Sequence, residues 1–373
     1  MLQARNSYHR LHVPGAMFPL AAGLLMFGWR AAGAVAVVLG FAWLGGMVWR
    51  RIGWRGGQLQ MPEMLWHALL LAMMLPAHLL SDTWKNSSTG AMPWCVLAGA
   101  GLLLAMVSWL VGGRNLHPVL VTYLLLAALL GHWLRPHSVL YPDHMLVGDV
   151  VRFSTVDAAP GGSDPWFSLR SAAGADARFV RYSAAWLLDW NPEPGRGYRR
   201  AQVSLDSLPP LEDLAIGAHA APLGTASALA VVIGGLYLLY RGLIDYRLPL
   251  LIALSAGIGL LVLPLPYTVP EVAARWRGLL WPGVPMNLAA AFTFVNYQML
   301  ASPALFVAFF LATAGSVRPV VPSARVVFAV VCGLLVAASQ LYLSVAHGPY
   351  LALLIAALLA PLLNRRAAVR PIV

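Results

Sequence analysis

Ten apolar segments, five on each side of one long polar insert, constrain this chain more than anything else in it. The first five read as residues 16–27, 32–48, 64–80, 94–111 and 117–134, and the second five as 226–240, 249–263, 303–314, 326–345 and 349–363. No soluble domain can hide so much continuous apolar sequence. Lipid accepts it, because each helix satisfies its own backbone hydrogen bonds. With 60% hydrophobic and only 10% charged residues, the composition lies far outside the globular range, and an all-α polytopic membrane protein is expected. Several segments fall short of the roughly 20 residues a full span needs. Pro and Gly interrupt them, which is the trace of broken or re-entrant helices. Pro14 and Pro19 make the first segment the one that could lie along the interface. Arg5 and Arg10 precede it with no cleavage site after it, so no cleavable signal peptide is expected.

The net charge of +11 does not point to nucleic acid, since the basic residues form neither a patch nor an arm. They punctuate the loops instead. Arg5, Arg10, Arg50, Arg51, Arg55, Arg114, Arg241, Arg247, Arg318, Arg325, Arg365, Arg366 and Arg370 fall on one side of the alternating segments. Only Arg30, Lys85, Arg275 and Arg277 fall on the other, the long insert aside. The positive-inside rule then puts both termini in the cytoplasm and the insert outside. Five segments per half is an odd number, so the second half enters the membrane inverted relative to the first. A 5+5 inverted repeat of about ten spanning or half-spanning helices follows. The divisions are residues 1–134, an insert at 135–225, and 226–373. An echo between Trp66-His67-Ala68-Leu69-Leu70-Leu71-Ala72 and Leu305-Phe306-Val307-Ala308-Phe309-Phe310-Leu311-Ala312 agrees with it.

The insert carries Trp166, Phe167, Phe179, Trp186 and Trp190 between Pro/Gly turns, enough aromatic surface for a small core or a partner contact. Cys95 and Cys332 fall in the fourth and ninth segments, with no CxxC spacing, and read as packing residues. Walker sequences, dinucleotide-binding glycine fingerprints and Cys/His metal constellations are missing from the sequence. No metal site and no catalysis by the chain alone are expected.

After the insert the residues become specific: Gly224-Thr225-Ala226-Ser227-Ala228-Leu229-Ala230, Gly234-Gly235-Leu236-Tyr237-Leu238-Leu239 and Tyr246-Arg247-Leu248-Pro249. This resembles the G-E-T-S-A-L-A, G-G-L-Y-L-L and W-R-I-P series of the RnfD/NqrB family. Ala68-Leu69-Leu70-Leu71-Ala72 with Pro76 is similar to its G-L-L-L-A and P-P, and Gly112-Gly113-Arg114-Asn115-Leu116-His117-Pro118 to its G-G and N-P-F-N-P. Ala308-Phe309-Phe310-Leu311-Ala312-Thr313 is similar to its A-F-F-M-A-T-D-P. The resemblance runs from about residue 60 to the C-terminus. It implies an inner-membrane subunit of a redox-driven, flavin-containing Na⁺- or H⁺-translocating complex, assembled with other Rnf-type membrane subunits and a periplasmic flavoprotein.

Departures from the family pattern are as informative. Its periplasmic D-G-I/V-S/T-x-A-T-P-L motif carries FMN on the threonine. The corresponding stretch here is Asp206-Ser207-Leu208-Pro209-Pro210-Leu211-Glu212-Asp213, with Pro209 at the threonine position. Covalent FMN is therefore not expected, while a noncovalent riboflavin or FMN could remain near Asp206, Ser207, Pro210, Glu212 and Asp213. These acids read equally as a solvated turn. Ser88 and Thr89 could mimic a displaced acceptor, but their surroundings read as a helix cap. The T-D-P carboxylate is replaced in Thr313-Ala314-Gly315, and the G-E-T-S glutamate by Thr225.

Among pathway candidates, His67 stands out, because an ionisable side chain in a membrane segment is costly and tends to face a cavity. Thr313 joins it at the altered carboxylate site. Glu63 is the first half's nearest approach to a membrane carboxylate, and His78, His117 and His132 read as interfacial. Asn296, Gln298 and Gln340 suit interhelical hydrogen bonds, and Gly234-Gly235 permits close approach of a helix or a flat ring. Two other readings stay open: a secondary transporter or channel, and a redox-silent structural subunit.

Overall fold

A computed structural model describes residues 2–52, 61–76, 92–111, 116–134, 140–142, 153–155, 215–216, 221–269, 272–277, 292, 295–296, 298–300, 302–343 and 347–368. Helix α1 (Leu2–Ile52) is two helices joined at Gly28, whose φ of 62° is closed to most side chains. There follow α2 (Met61–Met74), α3 (Met92–Val111) and α4 (Pro118–Leu134). The second half contains α5 (Ala228–Tyr240), α6 (Arg247–Val262), α7 (Ala304–Phe306) running into a π-helical turn Val307–Leu311, α8 (Pro322–Tyr342) and α9 (Gly348–Ala368). Two antiparallel hairpins complete the described structure: β1 (Leu140–Pro142) with β2 (Phe153–Thr155), and β3 (Leu265–Val269) with β4 (Val272–Arg277).

The protein is a polytopic membrane protein built on helices. Among the described residues Ala31–Arg51, Trp94–Val111, Pro322–Tyr342 and Gly348–Arg365 are long and apolar enough to cross a bilayer, and five further apolar helices are shorter. Large apolar side chains that a soluble protein would bury, such as Leu25, Leu129, Leu236 and Leu362, are well exposed, each more than half. Facing lipid, they cost nothing.

The first segment packs against the start of the second half. Gly15 lies against Leu238, Gly23 against the Leu223 carbonyl, and Gly234 against the Gly15 carbonyl, so it packs inside the bundle on α5. As α1 advances from Gly15 through Phe18 to Gly23, its contacts retreat from Leu238 through Tyr237 to Leu223, and the two helices run antiparallel.

Small residues set the other close crossings, as expected where lipid offers no hydrophobic drive between helices. In α1 and α3, a Cβ added to Gly101 would lie 2.7 Å from the Val38 carbonyl oxygen and 2.9 Å from the Ala42 nitrogen. One added to Gly45 would lie 2.8 Å from the Ala105 Cβ. In α6 and α8, a Cβ added to Gly333 would run into the Ile252 carbonyl and lie 2.9 Å from the Ala256 nitrogen, and one added to Gly259 would lie 2.7 Å from the Ala337 Cβ. The residue pairs Gly28/Gly242, Val38/Ile252, Ala42/Ala256 and Gly45/Gly259 keep one constant spacing in the sequence, as do Gly101/Gly333 and Ala105/Ala337. Gly28 and Gly242 are also the only described residues with positive φ. Of the two cysteines, Cys332 is buried and Cys95 exposed.

The basic loops of the second half gather at one corner. Arg325 pairs with Asp245 at 3.7 Å and donates to the carbonyls of Pro319 and Val320. The Asn364 Oδ1 accepts from the Val320 nitrogen at 3.0 Å. The loops holding Arg241, Arg247 and Arg318 thus share a side with the C-terminal end of α9.

Candidate functional site

The bundle is interrupted where α2 stops. Its 14 residues rise about 21 Å, well short of a hydrocarbon core of ~30 Å. The third segment was expected to run to residue 80, but the helix ends at Met74 and the chain turns extended. There Pro76 bridges Pro222, the Leu223 nitrogen donates to the Leu75 carbonyl at 3.2 Å, and the Gly224 nitrogen donates to the Met73 carbonyl at 2.7 Å. This exchange satisfies carbonyls that the end of a helix otherwise leaves open. It also explains the glycine: a Cβ at Gly224 would lie 2.6 Å from the Met73 Cβ. Ser227 then caps α5, accepting from the Ala230 nitrogen at 3.2 Å and donating to the Ala215 carbonyl at 3.1 Å. The most specific motif of the sequence is thus the crossing at which a broken helix of the first half meets the start of the second.

Along α2 the buried face is ionisable. Glu63 and His67, one turn apart, are both buried, as is Trp66 between them. His67 packs edge-on against His117, ring centroids 5.0 Å apart, and His12 of α1 packs edge-on against Trp66 at 6.2 Å. His117 caps α4, its carbonyl accepting from the Val121 nitrogen. Only 1% of it is exposed. His12, Glu63, His67 and His117 are the only buried carboxylate or imidazole groups among the described residues. The sequence flagged His67 and noted Glu63. It missed His12, which stands before the first segment with no periodicity to mark it.

The second half breaks differently. The π-helical turn Val307–Leu311 widens the helix, and the Thr313 hydroxyl, buried, donates back to the Phe309 carbonyl at 2.7 Å. That places Thr313 at a helix end with its hydroxyl turned onto its own helix. Gly234-Gly235 does receive flat rings, and they are Phe310 and Phe309. Gln340 Nε2 donates to the Ser302 hydroxyl at 2.8 Å, tying α8 to the bend that precedes α7. Gln298 is buried and Asn296 exposed. His347, at the start of α9, pairs through Nδ1 with the Tyr123 hydroxyl of α4 at 2.9 Å, and Tyr350 packs on Tyr123 at 4.6 Å.

Asp206, Ser207, Pro209, Pro210, Glu212 and Asp213, with the aromatics of the insert, Ser88, Thr89 and His78, lie outside the described residues, as does the side chain of His132. Among the described residues no group of three or more His, Cys, Asp or Glu side chains could hold a metal ion.

A multi-span helical bundle with broken helices at its centre defines a class of membrane protein, and the sequence comparison narrows it. Residues 4–372 match the NQR2, RnfD, RnfE family, and the chain belongs to it. The similar proteins include a subunit of the Na(+)-translocating ferredoxin:NAD(+) oxidoreductase complex of Acetobacterium woodii, 27% identical over 143 residues. That alignment covers 38% of this chain and 36% of the relative.

Proposed function

We infer that the protein is a membrane subunit of an Rnf/Nqr-type electron-transport complex, holding neighbouring Rnf-type subunits together and coupling electron flow to Na⁺ or H⁺ movement. The observation that carries this reading is the crossing of Leu75–Pro76 with 222–224, two interrupted elements meeting inside the bundle, in a chain of this family. Irregular backbone inside a membrane is tolerated where it is buried in protein or lines a cavity, and transporters place their ion sites at such breaks.

The two halves form an inverted repeat in this reading. It is supported by the antiparallel packing of α1 on α5, by the matched glycine crossings, and by the positive-φ pair Gly28 and Gly242. With both termini in the cytoplasm of an inner membrane, residues 135–225 reach the opposite side, where a periplasmic flavoprotein would dock.

The chain does not fit a phosphate-tethered flavin at 206–213. Proline has no hydroxyl to esterify, and Asp206, Glu212 and Asp213 would set carboxylates against a phosphate. A neutral flavin held without a covalent bond is the form these residues tolerate. Purification of the native complex through a tag on this chain tests the whole reading. Other Rnf-type subunits should co-purify, and a denaturing gel under ultraviolet light should show no fluorescence in the 40.1 kDa band. A fluorescent band would overturn the assignment of Pro209, and recovery of the chain without any other subunit would favour a stand-alone transporter.

A further inference from the structure

We propose that Glu63, His67 and His117 form a proton-exchange site, making the proton the ion that this subunit handles; the proposal rests on the reading above and names its ion. Among the described residues the four buried carboxylate or imidazole groups come from α1, α2 and the start of α4: His67 packs on His117, Glu63 lies one turn before His67, and His12 packs on the adjacent Trp66. Ionisable groups are expensive inside a membrane protein, and a structural role would be served as well by the uncharged Gln and Ser of the second half. The echo between the halves pairs His67 with Val307 and Trp66 with Phe306.

The donor set chooses among ions. A hard cation such as Na⁺ takes oxygen ligands. The cluster offers one carboxylate among three imidazoles, and no metal-holding group of three is present among the described residues. Imidazole instead gains and loses a proton near neutral pH. Among the described residues, the elements packed on α2 bring these groups toward the pair. α1 brings His12, on the far side of Trp66. α3 carries no acid, imidazole or ammonium, only the buried hydroxyl of Ser108. α4 brings His117, with the Tyr123 hydroxyl further along, already paired with His347. Glu63 lies one turn before His67 on the same buried face.

In the exchange, an N–H bond of the His67 imidazolium breaks as an N–H bond forms on neutral His117. His67 is left neutral and His117 charged, and no electron changes owner. The rings already touch at 5.0 Å between centroids, so a turn about χ2 or one bridging water completes the path.

Proteoliposomes holding the purified complete complex, energised by its electron donor in sodium-free buffer with a pH-sensitive dye inside, test the proposal. The wild type should acidify or alkalinise the lumen in an uncoupler-sensitive way. His67→Gln and His117→Gln should reduce that signal by about tenfold or more, the scale of a lost acid–base group, while uncoupled electron transfer persists. Variants that move protons like the wild type would overturn the site. If neither variant assembles, the wild type decides alone: sodium-free proton movement supports the proposal, and electron transfer coupled only to uptake of labelled Na⁺ overturns it. A chain that never co-purifies with other subunits sinks the proposed function instead, a separate outcome read from the gel.

Discussion

The two halves share a packing device and differ in what they bury. Gly45 and Gly101 bring α1 onto α3 in the way Gly259 and Gly333 bring α6 onto α8, down to the same alanine contact at Ala105 and Ala337. Yet the first half buries His12, Glu63, His67 and His117, and the second buries Gln298, Ser302, Thr313 and Gln340. Backbone geometry and chemistry are thus separable in this bundle. Small residues at four positions define the crossing, and the side chains around the interrupted helices are free to vary. An ion site needs to be built only once, on one side of a scaffold whose other side keeps the shape.

The comparison breaks most directly at the glycines. Gly101→Val and Gly333→Val should each cost about 1–3 kcal/mol or more by forcing branched side chains into backbone, and both should lower the melting temperature of the detergent-solubilised protein. If only one does, the two crossings are not equivalent. Next come Gly28→Ala and Gly242→Ala, each placing a Cβ at positive φ at about 1–3 kcal/mol; a matched pair of losses in the same assay would show that both turns do the same job. Gln340→Met removes the bond to Ser302, and a loss of about 1 kcal/mol is expected, typical of polar contacts between membrane helices. The smallest effect belongs to Gly40→Ala and Gly99→Ala, where an added Cβ meets nothing within 4 Å. Better helix propensity should stabilise each by up to ~1 kcal/mol; destabilisation in thermal unfolding would show that these faces touch something in the assembly.

Much of the fold was legible because lipid makes apolar length a direct signal. The 94–111 segment matches helical residues end to end, and the ninth and tenth segments are found within a few residues of Pro322–Tyr342 and Gly348–Ala368. The third segment was read too long because Leu75 and Pro76 are apolar, and only pairing with residues far along the chain shows that they are extended. The hairpin at Leu265–Val269 and Val272–Arg277 was not anticipated, since two short strands beside a long apolar run leave little pattern of their own. For the site, His67 could be found from the cost of its burial, but its partners could not. His117 looked like a helix cap and is one. That it also packs on His67 depends on how α2 sits against α4, which no local spacing encodes. Thr313 was singled out for a missing neighbour, and its hydroxyl is occupied within its own helix.

The most direct test of the account is a density map of the native assembly purified through this chain. The account predicts a heteromeric complex in which residues 24–45 with 101–105 superpose, after rotation about an axis in the membrane plane, on 238–259 with 333–337. A homo-oligomer of this chain alone, or halves that overlay without reversing their direction through the bilayer, would contradict it.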